Sequence, residues 1–309
     1  MAGDTGFGAA NGTFGELLQG MLPDARRFLV TFPLDTWSTA SFRLTDGDTV
    51  TVSPAGKSKS RLLATRMLRA HGHPGGGTLE LDGGLPEGKG LASSSADLVA
   101  TARAVADALD VPLDEEATET FLRGIEPSDG VMYAGIVSYY HREVRLKERL
   151  GTLPPLTIVA HDTGGMVDTV RYNHAARAPS HRTRREYATL LGTLSDAVRC
   201  GDLAAVGRVA TRSAELHLGP DPDLRFVRMR AICREAGGLG LVIAHSGTYL
   251  GILLGAHRDD DPERVERVRA RCAELPGTVS VFRSLGADAC AAPPSVIHHA
   301  GPVGGDYAL

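Results

Sequence analysis

Aromatic side chains are scarce in this chain: Phe, Trp and Tyr make up 5% of 309 residues, and Trp37 is the single tryptophan. Excess positive charge is absent too, since 33 basic against 37 acidic residues leave a formal charge of −4. Broad electrostatic binding of nucleic acid needs a basic surface that displaces counterions, so that class is not expected. No apolar run approaches the ~20 residues that cross a bilayer, so no membrane partner is expected. The first twenty residues offer neither the basic start nor the apolar core of a secretory signal, and the expected location is cytoplasmic. Cys200, Cys233, Cys272 and Cys290 are widely spaced, with no Cys-x-x-Cys pair. They read as idle or buried thiols in a reducing compartment, not as a zinc site or disulfide framework.

What the chain does have is glycine. Its 37 glycines are about 12% of the residues, against a usual ~7%. No Gly-X-Y period accompanies them, which excludes collagen. With 42% hydrophobic residues and long periodic segments, the chain can bury a core, and disorder is excluded. Strand-like runs are expected at 27–32, 36–44, 78–81, 156–160, 239–245, 249–254, 278–283 and 287–291. Helical spacing marks 57–71, 93–109, 114–123, 181–199, 203–216, 223–236 and 262–272. This mixture implies an α+β fold with helices packed on mixed, largely antiparallel sheets. The charged patch Arg142–Arg149 and the pair Pro154-Pro155 mark a boundary, giving subdomains at 1–153 and 154–292 and a flexible tail at 293–309.

The glycines cluster. Between a short strand and a helix stands Gly83-Gly84-Leu85-Pro86-Glu87-Gly88-Lys89-Gly90-Leu91-Ala92-Ser93-Ser94-Ser95-Ala96. A strand entering a helix through a Gly/Ser loop is suited to phosphate, because glycine lets backbone amides approach and the helix N-terminus carries partial positive charge. The same features also suit a tight, serine-capped connection. Gly83-x4-Gly88-Lys89 begins like a P-loop, but Gly90 stands where that motif needs the Ser or Thr that holds Mg²⁺. Two further segments share the glycine habit: Asn11-Gly12-Thr13-Phe14-Gly15-Glu16 and Gly237-Gly238-Leu239-Gly240, the latter running on to His245-Ser246-Gly247-Thr248. Each is also readable as an ordinary turn, and His245 by itself as a structural histidine.

Together and in this order, the three segments resemble the three motifs of the GHMP kinase superfamily, with the details of its L-threonine kinase branch. Two departures stand out: Ala92 replaces the second loop glycine, and Thr13 stands where many members place lysine. The resemblance implies a two-subdomain fold with the active site between the subdomains, and ATP with Mg²⁺ as cofactors. It puts ATP phosphates on Pro86, Gly88, Lys89, Gly90, Leu91, Ala92, Ser93, Ser94 and Ser95. Glu126-Pro127-Ser128-Asp129-Gly130 matches the segment where many members carry a carboxylate facing the substrate hydroxyl. By that likeness Asp129 is the candidate base, and Ser94 and Glu126 are the candidate Mg²⁺ ligands.

On the substrate side the resemblance points to Thr13, Gly15, Glu16, His245, Ser246 and Gly247. The run His161-Asp162-Thr163-Gly164-Gly165-Met166-Val167-Asp168-Thr169-Val170-Arg171 resembles the same branch, though glycine turns with capping aspartates look alike. Asp162 or Asp168 would hold an ammonium, and Arg171 a carboxylate at two points. That pairing suits a small hydroxylated amino acid, L-threonine or a relative, as the acceptor of the γ-phosphoryl group. Another alcohol (homoserine, pantoate or an isoprenoid precursor) or a non-catalytic nucleotide-binding regulator are the other readings. A homodimer follows from family habit.

Overall fold

The N-terminal segment that reads as a turn is a strand of 17 residues, β1 (Thr5–Met21). The computed structural model describes residues 5–164, 179–219, 223–244, 248–255 and 262–288. The two strands expected at 27–32 and 36–44 are one continuous strand, β2 (Arg27–Thr45). Pro33 made the sequence look broken, because proline cannot donate to a ladder. Here Pro33 lies opposite Thr13, at the place where the β1–β2 register shifts by bulging. A bulge tolerates proline, so pairing continues on both sides of it.

The other strands are β3 (Val50–Ser53), β4 (Gly76–Gly83), β5 (Ile136–Tyr140), β6 (Arg145–Gly151), β7 (Leu156–Asp162), β8 (Gly240–Ile243), β9 (Tyr249–Gly255) and β10 (Thr278–Arg283). Among the described residues they form one ten-stranded sheet in the order β10-β7-β9-β8-β1-β2-β4-β3, with the β5–β6 hairpin branching from β2. Only the β3–β4 pair is parallel among these described pairings. Sequence-distant parts are joined by the β1–β8 contact, where Glu16 faces Ile243, and by a bridge between Leu34 and Ser284. Ala287 and Asp288 are helical, not the start of a strand. Residues 289–309, which include the rest of that expected strand and the expected tail, lie outside the described residues.

Seven helices are described: α1 (Ser58–Ala70), α2 (Ser93–Ala108), α3 (Glu115–Leu122), α4 (His181–Cys200), α5 (Leu203–Leu218), α6 (Leu224–Glu235) and α7 (Pro262–Cys272). One core joins β1, β2, α1 and α2 through Phe14, Leu17, Phe28, Phe42, Met67 and Val99. A second lies between β7–β9 and α6–α7, around Val159, Phe226, Met229, Ile252 and Val268. Cys233 and Cys272 are buried and Cys200 is exposed, all three as free thiols.

The glycine loop leads into α2, and the seat of that helix sets where the loop lies. Its inner face is alanine, with Ala96, Ala100 and Ala104 fully buried. Gly8 of β1 lies beneath it, where an added Cβ would come 2.2 Å from the Ala100 carbonyl oxygen. Small residues on both elements let helix and strand backbones nearly touch, which fixes α2 along β1 without long side chains between them. Gly8→Val should therefore destabilise the protein by at least about 2 kcal/mol, read from urea denaturation, because the obstructing atoms are backbone. An unchanged unfolding midpoint would mean that this contact does not set the position of α2.

Candidate active site

The starts of α1 to α6 follow two patterns. Asp114, Ser180, Asp202 and Asp223 cap α3, α4, α5 and α6 by accepting from backbone amides. Helices α1 and α2 have no such side-chain cap. Their N-termini converge on the segment 84–92. Ala92, at the N-cap of α2, is left-handed with φ 59° and ψ 26°. Gly88 and Gly90 just before it have φ of 68° and 75°, a conformation that L side chains rarely adopt. The chain turns tightly and presents the uncapped start of α2 at the loop. The first helical bond there runs from the Ala96 amide to the Ala92 carbonyl. The amides before it are the orphan donors of a helix end, suited to an anion.

Two serines in the first turn of α2 gather two carboxylates. Ser94 Oγ donates to Glu126 Oε1 at 2.5 Å. Ser95 Oγ donates to Asp129 Oδ2 at 3.1 Å and accepts from the Asp129 amide at 3.2 Å. Backbone and side chain of Asp129 are thus both held by one hydroxyl. Gly130 follows with φ 73°, and its Cα packs so close to the Tyr139 ring that a Cβ would stand 2.9 Å from it. The segment 126–130, read from sequence as a loop carrying two acids, is held against α2 at both of them.

The rim of the loop is tied down from three directions. Thr13 of β1 donates its amide to the Leu91 carbonyl at 3.2 Å. Lys57, before α1, pairs with Glu87 of the loop and, at 2.6 Å, with buried Asp97 of α2. Asp97 also accepts from Ser38 Oγ of β2 at 2.5 Å. From the far side, Lys89 Nζ lies 2.6 Å from Asp162 Oδ2 at the end of β7. Lys59 pairs with Glu126.

Of the residues singled out from sequence, Thr13, Glu16 and Ser95 are buried, Ser94 and Pro86 are exposed, and Gly88, Lys89 and Gly90 are half-buried. Gly15 presses on the third glycine segment: a Cβ there would lie 2.4 Å from Ala244 Cα. Asp162 is engaged by Lys89 and by the Gly164 amide at 3.0 Å. Asp168, Arg171, His245, Ser246 and Gly247 lie outside the described residues. A cleft of about 370 Å³ opens elsewhere, lined by Asn11, Trp37, Arg103, Met132 and Tyr133, and none of the loop residues 83–95 lines it. The uncapped start of α2 and the acids Glu126 and Asp129 converge at the loop, away from this cleft.

Sequence reading missed Lys57, Lys59, Asp97 and Ser38. One signal was present: two lysines at the start of α1, with no acid in its first turn, oppose the helix dipole. Such charges are placed for something other than helix stability, and here they hold Glu87, Asp97 and Glu126.

Residues 59–134 match the family model described as GHMP kinases N terminal domain. The chain is 26% identical over 274 residues to an L-threonine kinase of Salmonella typhimurium, covering 84% of this chain and 85% of that one. It is also 26% identical over 260 residues to an L-threonine kinase of Citrobacter freundii, covering 80% and 85%. In fold it is similar to the crystal structure of homoserine kinase from Cytophaga hutchinsonii, with a TM-score of 0.73, 16% identity, and 93% and 96% of the two chains covered.

The Lys57 cluster has a testable pH signature. Burial alone would lower the Lys57 pKa, but its bonds to Asp97 and Glu87 outweigh that and raise it above the usual 10.5. A base with a raised folded pKa contributes stability that is complete below its unfolded pKa and is lost as pH rises through the folded value. Lys57→Met should lower stability by about 1–3 kcal/mol at neutral pH, since Asp97 loses a charged partner. In urea melts, the gap between wild type and variant should narrow only at alkaline pH, above about 10.5. A gap that stays constant through that range would remove the ionic account of the cluster.

Proposed function

We propose that this chain, which belongs to the GHMP kinase superfamily, transfers the γ-phosphoryl group of ATP to the hydroxyl of L-threonine or a related hydroxy amino acid. The observation that carries the chemistry is the pairing of adjacent Ser94 and Ser95, at an uncapped helix start, with Glu126 and Asp129. The choice of an amino acid acceptor rests on likeness to the L-threonine kinases over four-fifths of the chain. The division at 153/154 fits this reading, with the loop and the acids Glu126 and Asp129 before it and Asp162 after it.

Phosphoryl transfer asks a protein mainly to align reactants and to neutralise charge, because the transition state is loose. The amides from Gly88 to Ser95 receive the phosphates, with the α2 dipole behind them. Ser94 and Glu126 would hold Mg²⁺ as hard oxygen donors, with Lys59 giving up its bond to Glu126, and Mg²⁺ would supply neutralisation of phosphate charge. Among the described residues no group of three or more His, Cys, Asp and Glu forms a metal cage. A cation held mainly by nucleotide phosphates and water does not require one. Asp129, fixed by Ser95, accepts the acceptor's hydroxyl proton as the oxygen attacks phosphorus.

The test is ADP release with ATP and a panel of acceptors: threonine, serine, homoserine, pantoate and mevalonate, with the phosphoproduct weighed by mass spectrometry. Turnover with a hydroxy amino acid supports the proposal. Turnover with another alcohol alone replaces the substrate class, and ATP binding without any turnover replaces the enzyme by a regulator. Asp129→Asn should lower kcat by roughly 10²–10⁴-fold while leaving the KM for ATP within a few-fold of wild type. Near-wild-type kcat would remove Asp129 as the base.

A further inference from the structure

The Lys89–Asp162 pair joins residues 73 positions apart and ties the phosphate loop to β7. Its side chains are only 18% and 6% exposed, so water screens it weakly. Lys89 stands between Gly88 and Gly90, both with positive φ, on the segment that precedes the uncapped start of α2. Its long stem is thus rooted where phosphate is proposed to bind, while its ammonium is directed across to the other half of the chain. Asp162 is held from its second oxygen by the Gly164 amide, so the carboxylate stays in place whatever the lysine does.

We infer that Lys89 is exchanged between two anions: Asp162 before nucleotide binds, and the nucleotide phosphates afterwards. The inference rests on the kinase reading and adds an order to it. Moving Lys89 to phosphate takes from buried Asp162 the cation bonded to it and leaves only the charge of nearby Arg225 to balance it, which is costly. An acceptor amino acid carries the same group that has left, an ammonium, and can take its place. Nucleotide binding therefore opens the acceptor's anchoring carboxylate, and acceptor binding favours the state in which Lys89 is on phosphate. The two ligands bind with positive coupling through one lysine.

The experiment measures the affinity of the magnesium complex of a non-hydrolysable ATP analogue by calorimetry, without acceptor, for wild type, D162N, K89M and the double variant. With Asp162 neutral, Lys89 is no longer held back, and D162N should bind the analogue about 3- to 10-fold more tightly. K89M should bind it about 10-fold more weakly. The double variant should match K89M, because the gain from D162N acts through Lys89. Equal or weaker binding by D162N makes the pair a fixed strut and overturns the exchange. A D162N gain that persists in the K89M background reduces the effect to simple charge relief and overturns it too. Absence of binding by wild type overturns the exchange and the kinase reading together, whereas the other two failures leave that reading standing. Should D162N fail to fold, ¹³C-methylated lysine spectra of the wild type decide the same question. The resonance assigned to Lys89 through K89M shifts on adding the analogue if it moves, and an unshifted resonance overturns the exchange.

Discussion

The contact between α2 and β1 is made backbone to backbone, and the position of the first turn of α2 and of the acids bonded to it follows from it. Gly8 under Ala100 sets the distance, and Gly6 under Ala104 and Ala108 sets the angle, since an added Cβ at either glycine would overlap α2 main chain. With two such points the helix has little freedom to slide or tilt. Its first turn is then fixed relative to β1, and Thr13 in β1 bonds the loop at Leu91 directly. Ser94 and Ser95 inherit this rigidity and pass it to Glu126 and Asp129. Side chains long enough to bridge a looser packing would leave the serines free to shift by more than a hydrogen bond tolerates.

The helix starts point the same way. Four helices satisfy their first amides with Asp or Ser, so the sequence has capping residues available and uses them. At α2 the N-cap is alanine in a left-handed conformation, with three serines directly after it. Two of those serines turn to carboxylates and not to the helix's own amides. A helix end without a cap is less stable by about 1 kcal/mol. That deficit is tolerable where the amides are kept for a ligand, and the α2 end is the one that the glycine loop opens toward.

The loop and α2 were legible in the sequence because glycine spacing, serines and alanine periodicity are local signals. Helix α2 begins at Ser93, where the sequence places it, and α3, α6, β7, β9 and β10 also lie close to their expected positions. Strand β1 was not legible. Gly12 and Gly15 within it lower strand propensity, and only pairing with β2 along its length makes it a strand. The same holds for the site. The acids Glu126 and Asp129 stood out through resemblance, whereas Lys57, Lys59 and Asp97 meet their partners 30 to 67 residues away. No spacing rule reaches that far. Asp162 or Asp168 was read as binding a substrate ammonium; Asp162 pairs instead with Lys89 of the same chain, and Asp168 lies outside the described residues.

The charges at the rim bear on how an anion is bound there at all. Lys57, Lys59 and Lys89 bring three positive charges, and Glu87, Asp97, Glu126 and Asp162 bring four negative ones, so these pairs sum to −1. Asp129 adds another carboxylate beside Ser95. While these pairs are intact, the rim does not attract a polyphosphate by side-chain charge. The attraction comes from the amides and dipole of α2, worth roughly half an elementary charge at the helix end. That is too little to offset a free nucleotide's full charge next to Glu126 and Asp129. On the kinase reading, the rest of the neutralisation arrives with the nucleotide as its divalent cation, and Glu126 then turns from an opposing charge into a favourable one. On that reading, the same carboxylates that weaken binding of a bare anion would make the site selective for the nucleotide in its metal-bound form.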